Sequence, residues 1–262
     1  MSRRPYIGLW LLLAVALAAV TWVAFFEDIH IGSYTVKKAP IAETIFETHD
    51  EASDTPVKTA EGDTVAPAQV KAELDTLPQV IFIFGDSMTF NLALRLAQYG
   101  KQNGHEVHAV NWDSSNTKIW ADHDTLAYYI NRFHPTQIFI SLGSNELYLK
   151  KPDMRRPQVK RILDEIGDIP YVWIGPPNWK EDAGINDMIE SMCRPGSFFR
   201  SAGMEFKRKK DGIHPTREAS ALWVDSIMRW LPKSTHPFRA ETPADSIRKS
   251  NPDIILLKAL NK

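Results

Sequence analysis

The chain has 262 residues and a formal net charge of −1, which suits one domain with a full-sized core and gives no basic field for nucleic acid. Its single cysteine, Cys193, cannot form an internal disulfide. The sequence contains no GxGxxG or Walker loop and no CxxC or HExxH spacing, so we expect no cofactor and no metal ion.

The N-terminus carries an apolar run over residues 6–26 that no charged side chain interrupts. A run of ~20 residues is long enough for a helix to span a bilayer. Two arginines precede it and Glu27 and Asp28 follow, which predicts a cytoplasmic stub of residues 1–5 and a transmembrane signal anchor. The remaining chain is then expected on the periplasmic side of an inner membrane. A cleaved signal peptide is the alternative, although the run exceeds a usual h-region.

Residues 27–77 differ sharply in composition from the segments on either side. They contain eleven acidic and four basic residues and few large apolar side chains. Such a segment cannot bury enough surface to offset its ordering entropy, so we expect a disordered acidic linker. A short local element over residues 41–46 is left open.

From Val80 onward, short apolar runs alternate with amphipathic segments, which is typical of βαβ units. We therefore predict an α/β domain over residues 78–232, a three-layer sandwich with a five-stranded parallel sheet. The predicted strands are 80–84, 106–110, 137–142, 171–174 and 198–200, and the predicted helices are 89–103, 119–133, 155–166, 186–193 and 217–231. Residues 233–262 are rich in proline, and we expect them to form a C-terminal tail that wraps around the domain or trails from it without forming a second domain.

The first candidate motif, Gly85-Asp86-Ser87, directly follows the first predicted strand and opens a helix. Helix N-termini stabilise negative charge, so a serine here lies where an anionic intermediate would form. The same tripeptide is also common as an ordinary turn with a helix cap.

Two further motifs also follow strands or open helices. Asn145, in Gly143-Ser144-Asn145-Glu146, comes directly after an apolar run, and its amide can donate to an oxyanion or to loop backbone groups. Asp211 precedes His214 by three positions in the loop before the last helix. That spacing lets one loop supply a base and the carboxylate that orients it, although a turn with an aspartate cap is the alternative.

Together these motifs resemble the conserved blocks of the SGNH (GDSL-type) hydrolase family over residues 80–231. The resemblance implies the flavodoxin-like SGNH fold and a serine esterase or acyltransferase. Ser87 is then the nucleophile, His214 and Asp211 complete the triad, and the Ser87 N–H and the Asn145 amide line the oxyanion hole.

The chain departs from the family pattern at two places. The second block normally supplies a glycine N–H to the oxyanion hole, whereas residues 113–118 contain no glycine. Asn116 or Thr117 is expected to present the N–H instead. Glu146 replaces the usual aspartate of the third block, and we expect it to serve loop hydrogen bonding.

Two weaker candidates lie outside these motifs. Asn178 and Trp179 follow a predicted strand, and Trp179 can stack on a sugar ring or close over the core. Residues 207–210, Lys-Arg-Lys-Lys, adjoin the His214 loop and can attract anionic glycans or headgroups, although such runs are commonly solvated faces.

The expected substrate is an acylated glycan, with O-acetyl esters of a cell-envelope polysaccharide as the leading class. Hydrolysis and acyl transfer use the same residues and differ in the acceptor. The alternative is a catalytically silent SGNH domain that binds glycan or a partner in an envelope assembly.

Overall fold

The structure is a computed structural model that describes residues 29–31, 34–36, 77–244 and 252–260. The chain divides into two compact units, residues 1–66 and 67–262. The expected stub and signal anchor, residues 1–26, lie outside the described residues. Within the ranges described, no helix combines the length and apolar character needed to cross a membrane.

In the first unit, β1 (Ile29–Ile31) and β2 (Tyr34–Val36) pair antiparallel. The expectation that all of residues 27–77 lack regular structure is therefore wrong at this point. β-Branched residues, which favour strands, occur in both of them. The rest of that segment up to residue 76, including 41–46, lies outside the described residues.

The second unit contains a parallel sheet of six strands. Its strands are β3 (Val80–Gly85), β4 (Glu106–Trp112), β5 (Gln137–Ser141), β6 (Tyr171–Ile174), β7 (Phe198–Phe199) and β8 (Asp253–Leu257). Their spatial order is β7-β6-β5-β3-β4-β8, and every neighbouring pair is parallel. Apart from β8, this is the doubly wound order 2-1-3-4-5, in which ligands bind where the winding reverses beside β3.

Helices cover both faces of the sheet. They are α1 (Thr89–Asn103), α2 (Thr117–Asp122), α3 (Thr125–Phe133), α4 (Arg156–Ile166), α5 (Ile185–Glu190) and α6 (Arg217–Trp230). Alternate side chains of a strand point to opposite faces, so Ile81 and Ile83 pack with α1 and α6. Phe82 and Phe84 pack in a second core with α2 to α5. The expected three-layer α/β arrangement is confirmed.

The sheet has six strands instead of the predicted five, because β8 comes from the expected tail. β8 pairs with β4 and covers an edge that would otherwise expose unpaired backbone groups. The indole N–H of Trp112 also donates to the carbonyl of Lys258 at 2.9 Å. His236 and Phe238 are buried too. The described part of the C-terminal tail therefore wraps onto the domain and contributes a strand to its sheet, and the prediction of five strands is wrong.

The predicted helix 119–133 is two helices, α2 and α3. The helix is interrupted at His123, whose backbone is extended with φ −127° and ψ 145°. α2 also begins earlier than predicted, with Asn116 as its N-cap residue and the Asn116 side chain accepting from the Ile119 N–H at 3.0 Å. α2 is therefore a short helix, and its N-terminus lies shortly after the end of β4.

Candidate active site

Ser87 lies just beyond the carboxyl end of β3, and β3 lies between β4 and β5 in the sheet. The preceding Gly85 has φ +156°, and a Cβ there would lie 1.9 Å from the Ser141 carbonyl oxygen. Only glycine therefore fits this close approach. The Asp86 N–H donates to the same carbonyl at 3.0 Å, which fixes the loop that carries the half-buried Ser87.

His214 and Asp211 lie on a hairpin of residues 207–216, here called the basic hairpin. The Lys209 N–H donates to the His214 carbonyl at 2.8 Å, and the Thr216 N–H donates to the Lys207 carbonyl at 2.8 Å. The Arg208 guanidinium donates to the carbonyl of Ile213. These bonds hold the two arms together and place His214 on the arm that returns to α6.

The structure brings together the three residues of the expected triad. His214 Nε2 lies 2.8 Å from Ser87 Oγ, and His214 Nδ1 lies 2.8 Å from Asp211 Oδ2. Asp211 Oδ1 accepts from the backbone N–H groups of Ile213 at 2.8 Å and His214 at 2.9 Å. A continuous chain of hydrogen bonds therefore runs from the hydroxyl through the imidazole to the carboxylate.

The hydrogen bond from the His214 side chain is the main reason why the pKa of Asp211 lies well below its ordinary value, and the two backbone N–H groups lower it further. Asp211 is therefore an anion at neutral pH. An anionic acceptor at Nδ1 favours the tautomer that leaves the Nε2 lone pair facing Ser87 Oγ. The imidazole is thus oriented to take the hydroxyl proton.

Three hydrogen-bond donors, on Ser87, Asn116 and Asn145, follow the carboxyl ends of β3, β4 and β5 and can serve an oxyanion there. Asn145 Nδ2 donates one hydrogen to the Ser115 carbonyl at 2.8 Å, which leaves its second hydrogen for a ligand. Within residues 77–244, the backbone N–H groups of Ser87 and Asn116 have no protein acceptor. Asn116 has an extended backbone, with φ −151°, so this position does not require the glycine of the family pattern.

Thr117 was an equal candidate for the oxyanion hole, but its N–H is used within the protein. It donates to Glu146 Oε2 at 3.0 Å, while Glu146 Oε1 accepts from Thr117 Oγ1 at 2.8 Å and from Arg155 Nε at 2.6 Å. Only 3% of the Glu146 side chain is exposed. The expected loop role of Glu146 is confirmed: it fixes the start of α2 and thereby the Asn116 N–H.

Asp86 is a buried side chain that the sequence analysis did not single out. Its Oδ1 accepts from the Met88 N–H at 3.0 Å, whereas its Oδ2 is buried without a hydrogen-bond partner among the described residues. Burial raises the pKa of Asp86 to about 7, although the hydrogen bond from Met88 opposes this shift. Asp86 therefore fixes the loop that carries Ser87 through a carboxyl group that is costly to ionise.

The two weaker substrate candidates differ in the structure. Trp179 Nε1 donates to the Ser144 carbonyl at 3.1 Å and to Ser144 Oγ at 3.2 Å, and the ring packs against both cores. This supports the alternative in which Trp179 closes over the core. Asn178 is exposed, and its side-chain oxygen accepts from Asn186 at 3.3 Å. Neither side chain bonds a triad residue within the part of the chain described.

The described residues contain no group of three or more His, Cys, Asp or Glu side chains placed to hold a metal ion. No protein-family model matches the chain, and no curated protein matches it. The α/β fold and the hydrogen-bonded Ser-His-Asp arrangement are therefore the observations from which its function is argued.

Proposed function

We propose that this chain is a serine esterase or acyltransferase of the SGNH (GDSL-type) kind. The observation that carries the proposal is the hydrogen-bonded chain Ser87-His214-Asp211 at the carboxyl end of a central strand. A protein that only binds ligand has no chemical need for this arrangement. The doubly wound strand order agrees with the flavodoxin-like SGNH fold that the sequence motifs imply.

In the first half-reaction, Ser87 Oγ attacks the carbonyl carbon of an acyl ester while His214 Nε2 takes the hydroxyl proton. Asp211 stabilises the imidazolium that forms. The N–H groups of Ser87 and Asn116 and the Asn145 amide stabilise the oxyanion. The carbon–oxygen bond to the alcohol then breaks, His214 returns its proton to the leaving oxygen, and an acyl-Ser87 intermediate remains.

The second half-reaction regenerates the serine. His214 removes a proton from the acceptor hydroxyl, the acceptor oxygen attacks the acyl carbon, and the bond to Ser87 breaks as Ser87 regains a proton. With water the products are a carboxylic acid and free enzyme. With a sugar hydroxyl the acyl group moves to a new ester, so hydrolysis and O-acyl transfer require the same residues.

The proposed substrate class is the O-acetyl esters of a cell-envelope polysaccharide. Support comes from the family resemblance and from the apolar run 6–26 with its charge asymmetry, which favours a single-pass anchor and a periplasmic domain. Fractionation with membranes and release of a soluble domain by external protease would test the anchor. A mature protein that begins after Ala24 would show a cleaved signal peptide instead.

Labelling with a fluorophosphonate probe tests the nucleophile directly. We expect the wild type and a Ser226→Ala control to be labelled and to turn over acetyl esters, because the Ser226 hydroxyl bonds only within α6. Ser87→Ala should lose both signals while it remains folded. Adding a sugar acceptor and detecting its new ester separates transfer from hydrolysis. Equal background turnover by wild type and Ser87→Ala would favour the silent domain that binds glycan or an envelope partner.

A further inference from the structure

The basic hairpin concentrates exposed cations on the segment that carries His214. Lys207, Lys209 and Lys210 are exposed, and Arg217 is exposed on the first turn of α6. Within the described ranges, none of these four side chains forms an ion pair. They contrast with the cations elsewhere on the surface that pair with neighbouring carboxylates, such as Lys160.

The carboxylates around these cations leave an excess of positive charge. Between residues 205 and 218 the chain carries three carboxylates, Glu205, Asp211 and Glu218, and five cations, Lys207, Arg208, Lys209, Lys210 and Arg217. Asp211 is occupied by the His214 imidazole and two backbone N–H groups. The pKa of Glu218 lies below its ordinary value, first because of hydrogen bonds from its own backbone N–H and from the Thr216 side chain, and further because of the charges of Lys207 and Arg217. One carboxylate is thus engaged by the triad, and the rest do not balance the cations.

A cavity of about 180 Å³ lies between α1 and α6 beside this surface. Its polar lining consists of Asn91, Arg95, Gln98, Arg217 and Glu218. Arg95 is committed to Asp225 at 2.8 Å and to Gln98 at 2.7 Å, whereas Arg217, the other cation of this cavity, forms no ion pair among the described residues. α1 and α6 are the helices that directly follow Ser87 and His214, which places the cavity next to the loops of the proposed reaction.

We propose that the basic hairpin and Arg217 bind negatively charged groups of the glycan substrate and hold the polymer with its ester over Ser87. The inference rests on the proposed function and adds the charge of the substrate. Clustered cations attract an anionic polymer from a distance and at little entropic cost to the protein. A membrane fits the basic hairpin less well, because Ile213, the large apolar side chain within it, packs against the core and the exposed side chains of the hairpin are charged.

Binding is best measured with the full chain carrying Ser87→Ala, so that catalysis is not required. The probes are an oligogalacturonate and a neutral galactan oligosaccharide of equal length, titrated at low and high salt. The acidic probe should bind more tightly and weaken as salt rises. Adding Lys207→Gln with Lys210→Gln should raise its Kd about fivefold, as expected for two exposed charge contacts. Lys101→Gln with Lys233→Gln removes equal charge from other exposed positions and should leave the Kd unchanged.

Three results would overturn the proposal. The first is equal affinity for the acidic and neutral oligosaccharides, and the second is an equal loss of affinity in both pairs of lysine variants. The third is retention by phosphatidylglycerol vesicles, but not phosphatidylcholine vesicles, without binding of the oligogalacturonate, which would assign the surface to lipid headgroups. If the wild type turns over no ester but the acidic probe binds as expected, the proposed function fails while the anion-binding surface stands.

Discussion

Replacing Asp86 with asparagine should change how stability depends on pH. Burial raises the pKa of Asp86 from 3.8 to about 7, so between these values the folded protein keeps a proton that the unfolded chain has lost. The wild-type free energy of unfolding must therefore fall as pH rises through this window. Asparagine cannot ionise, and its side-chain oxygen can still accept from the Met88 N–H. The variant should escape this loss.

The size of the effect follows from the two pKa values. Each pH unit costs about 1.4 kcal/mol when one proton separates the folded and unfolded states. Over the roughly three pH units between 3.8 and about 7, the wild type should lose about 4 kcal/mol relative to Asp86→Asn. Above that window the two curves should run parallel. This fall in the free energy of unfolding with rising pH is specific to a buried acid. A carboxylate paired with a cation would instead raise the free energy of unfolding as the pH rises through its own window.

Urea unfolding followed by tryptophan fluorescence at pH values from 4.5 to 8 covers about 2.5 pH units of this window, over which the difference should reach about 3 kcal/mol. Asp168→Asn is the matched control, because Asp168 is exposed and its side chain forms no ion pair within the described residues. That variant should follow the wild type at every pH. If Asp86→Asn also follows the wild type throughout, Asp86 does not hold a proton in the folded protein and the argument from its burial is wrong.

Three further variants test the site and the fold. Asn145→Ala should lower kcat on an acetyl ester by about 100- to 1000-fold, or ~3–4 kcal/mol, without abolishing turnover, and an unchanged kcat would remove Asn145 from the oxyanion hole. Trp179→Phe should lower the free energy of urea unfolding by about 1–2 kcal/mol, because Ser144 loses a donor while ring packing remains; no change would show that the bond contributes nothing. Removing residues 252–262 uncovers the edge of β4 and should cost about 3 kcal/mol in the same assay, and full stability without them would contradict the six-stranded sheet.

Much of the fold could be predicted because strands buried on both faces leave continuous apolar runs in the sequence. The runs that begin at Val80, Glu106, Gln137, Tyr171 and Phe198 all became strands. α1 has the predicted bounds because glycine ends it and the amphipathic spacing is regular. These signals are local, so one sequence is enough to detect them.

The missed elements depend on contacts between distant residues. β8 has a short apolar run, but it becomes a strand only by pairing with β4 across a proline-rich segment. The break at His123 was hidden because Trp120 and Leu126 on either side both point into the core, so the apolar spacing continues across it. Periodicity cannot distinguish one helix from two that bury the same face.

The site shows the same division. The order of the motifs was sufficient to predict that Ser87 and His214 lie close together, because each motif follows a strand or opens a helix at the carboxyl ends of the strands. In the structure the two side chains lie within hydrogen-bond distance. It could not decide between Asn116 and Thr117, because that choice depends on Glu146 accepting the Thr117 N–H. The partnership of a buried carboxylate is a property of the folded protein.

The proposed nucleophile and base lie 127 positions apart and meet through one hydrogen bond between Ser87 and His214. The three proposed oxyanion donors, like Ser87, precede the exposed pair Lys180 and Glu181 in the sequence. The proposed base and its carboxylate follow that pair. Cutting the chain between Lys180 and Glu181 would yield two fragments, each of which carries only part of the proposed active site. Covalent labelling of Ser87 by a fluorophosphonate would then require the two fragments to associate. The extent of labelling would therefore measure how much of the protein has reassembled.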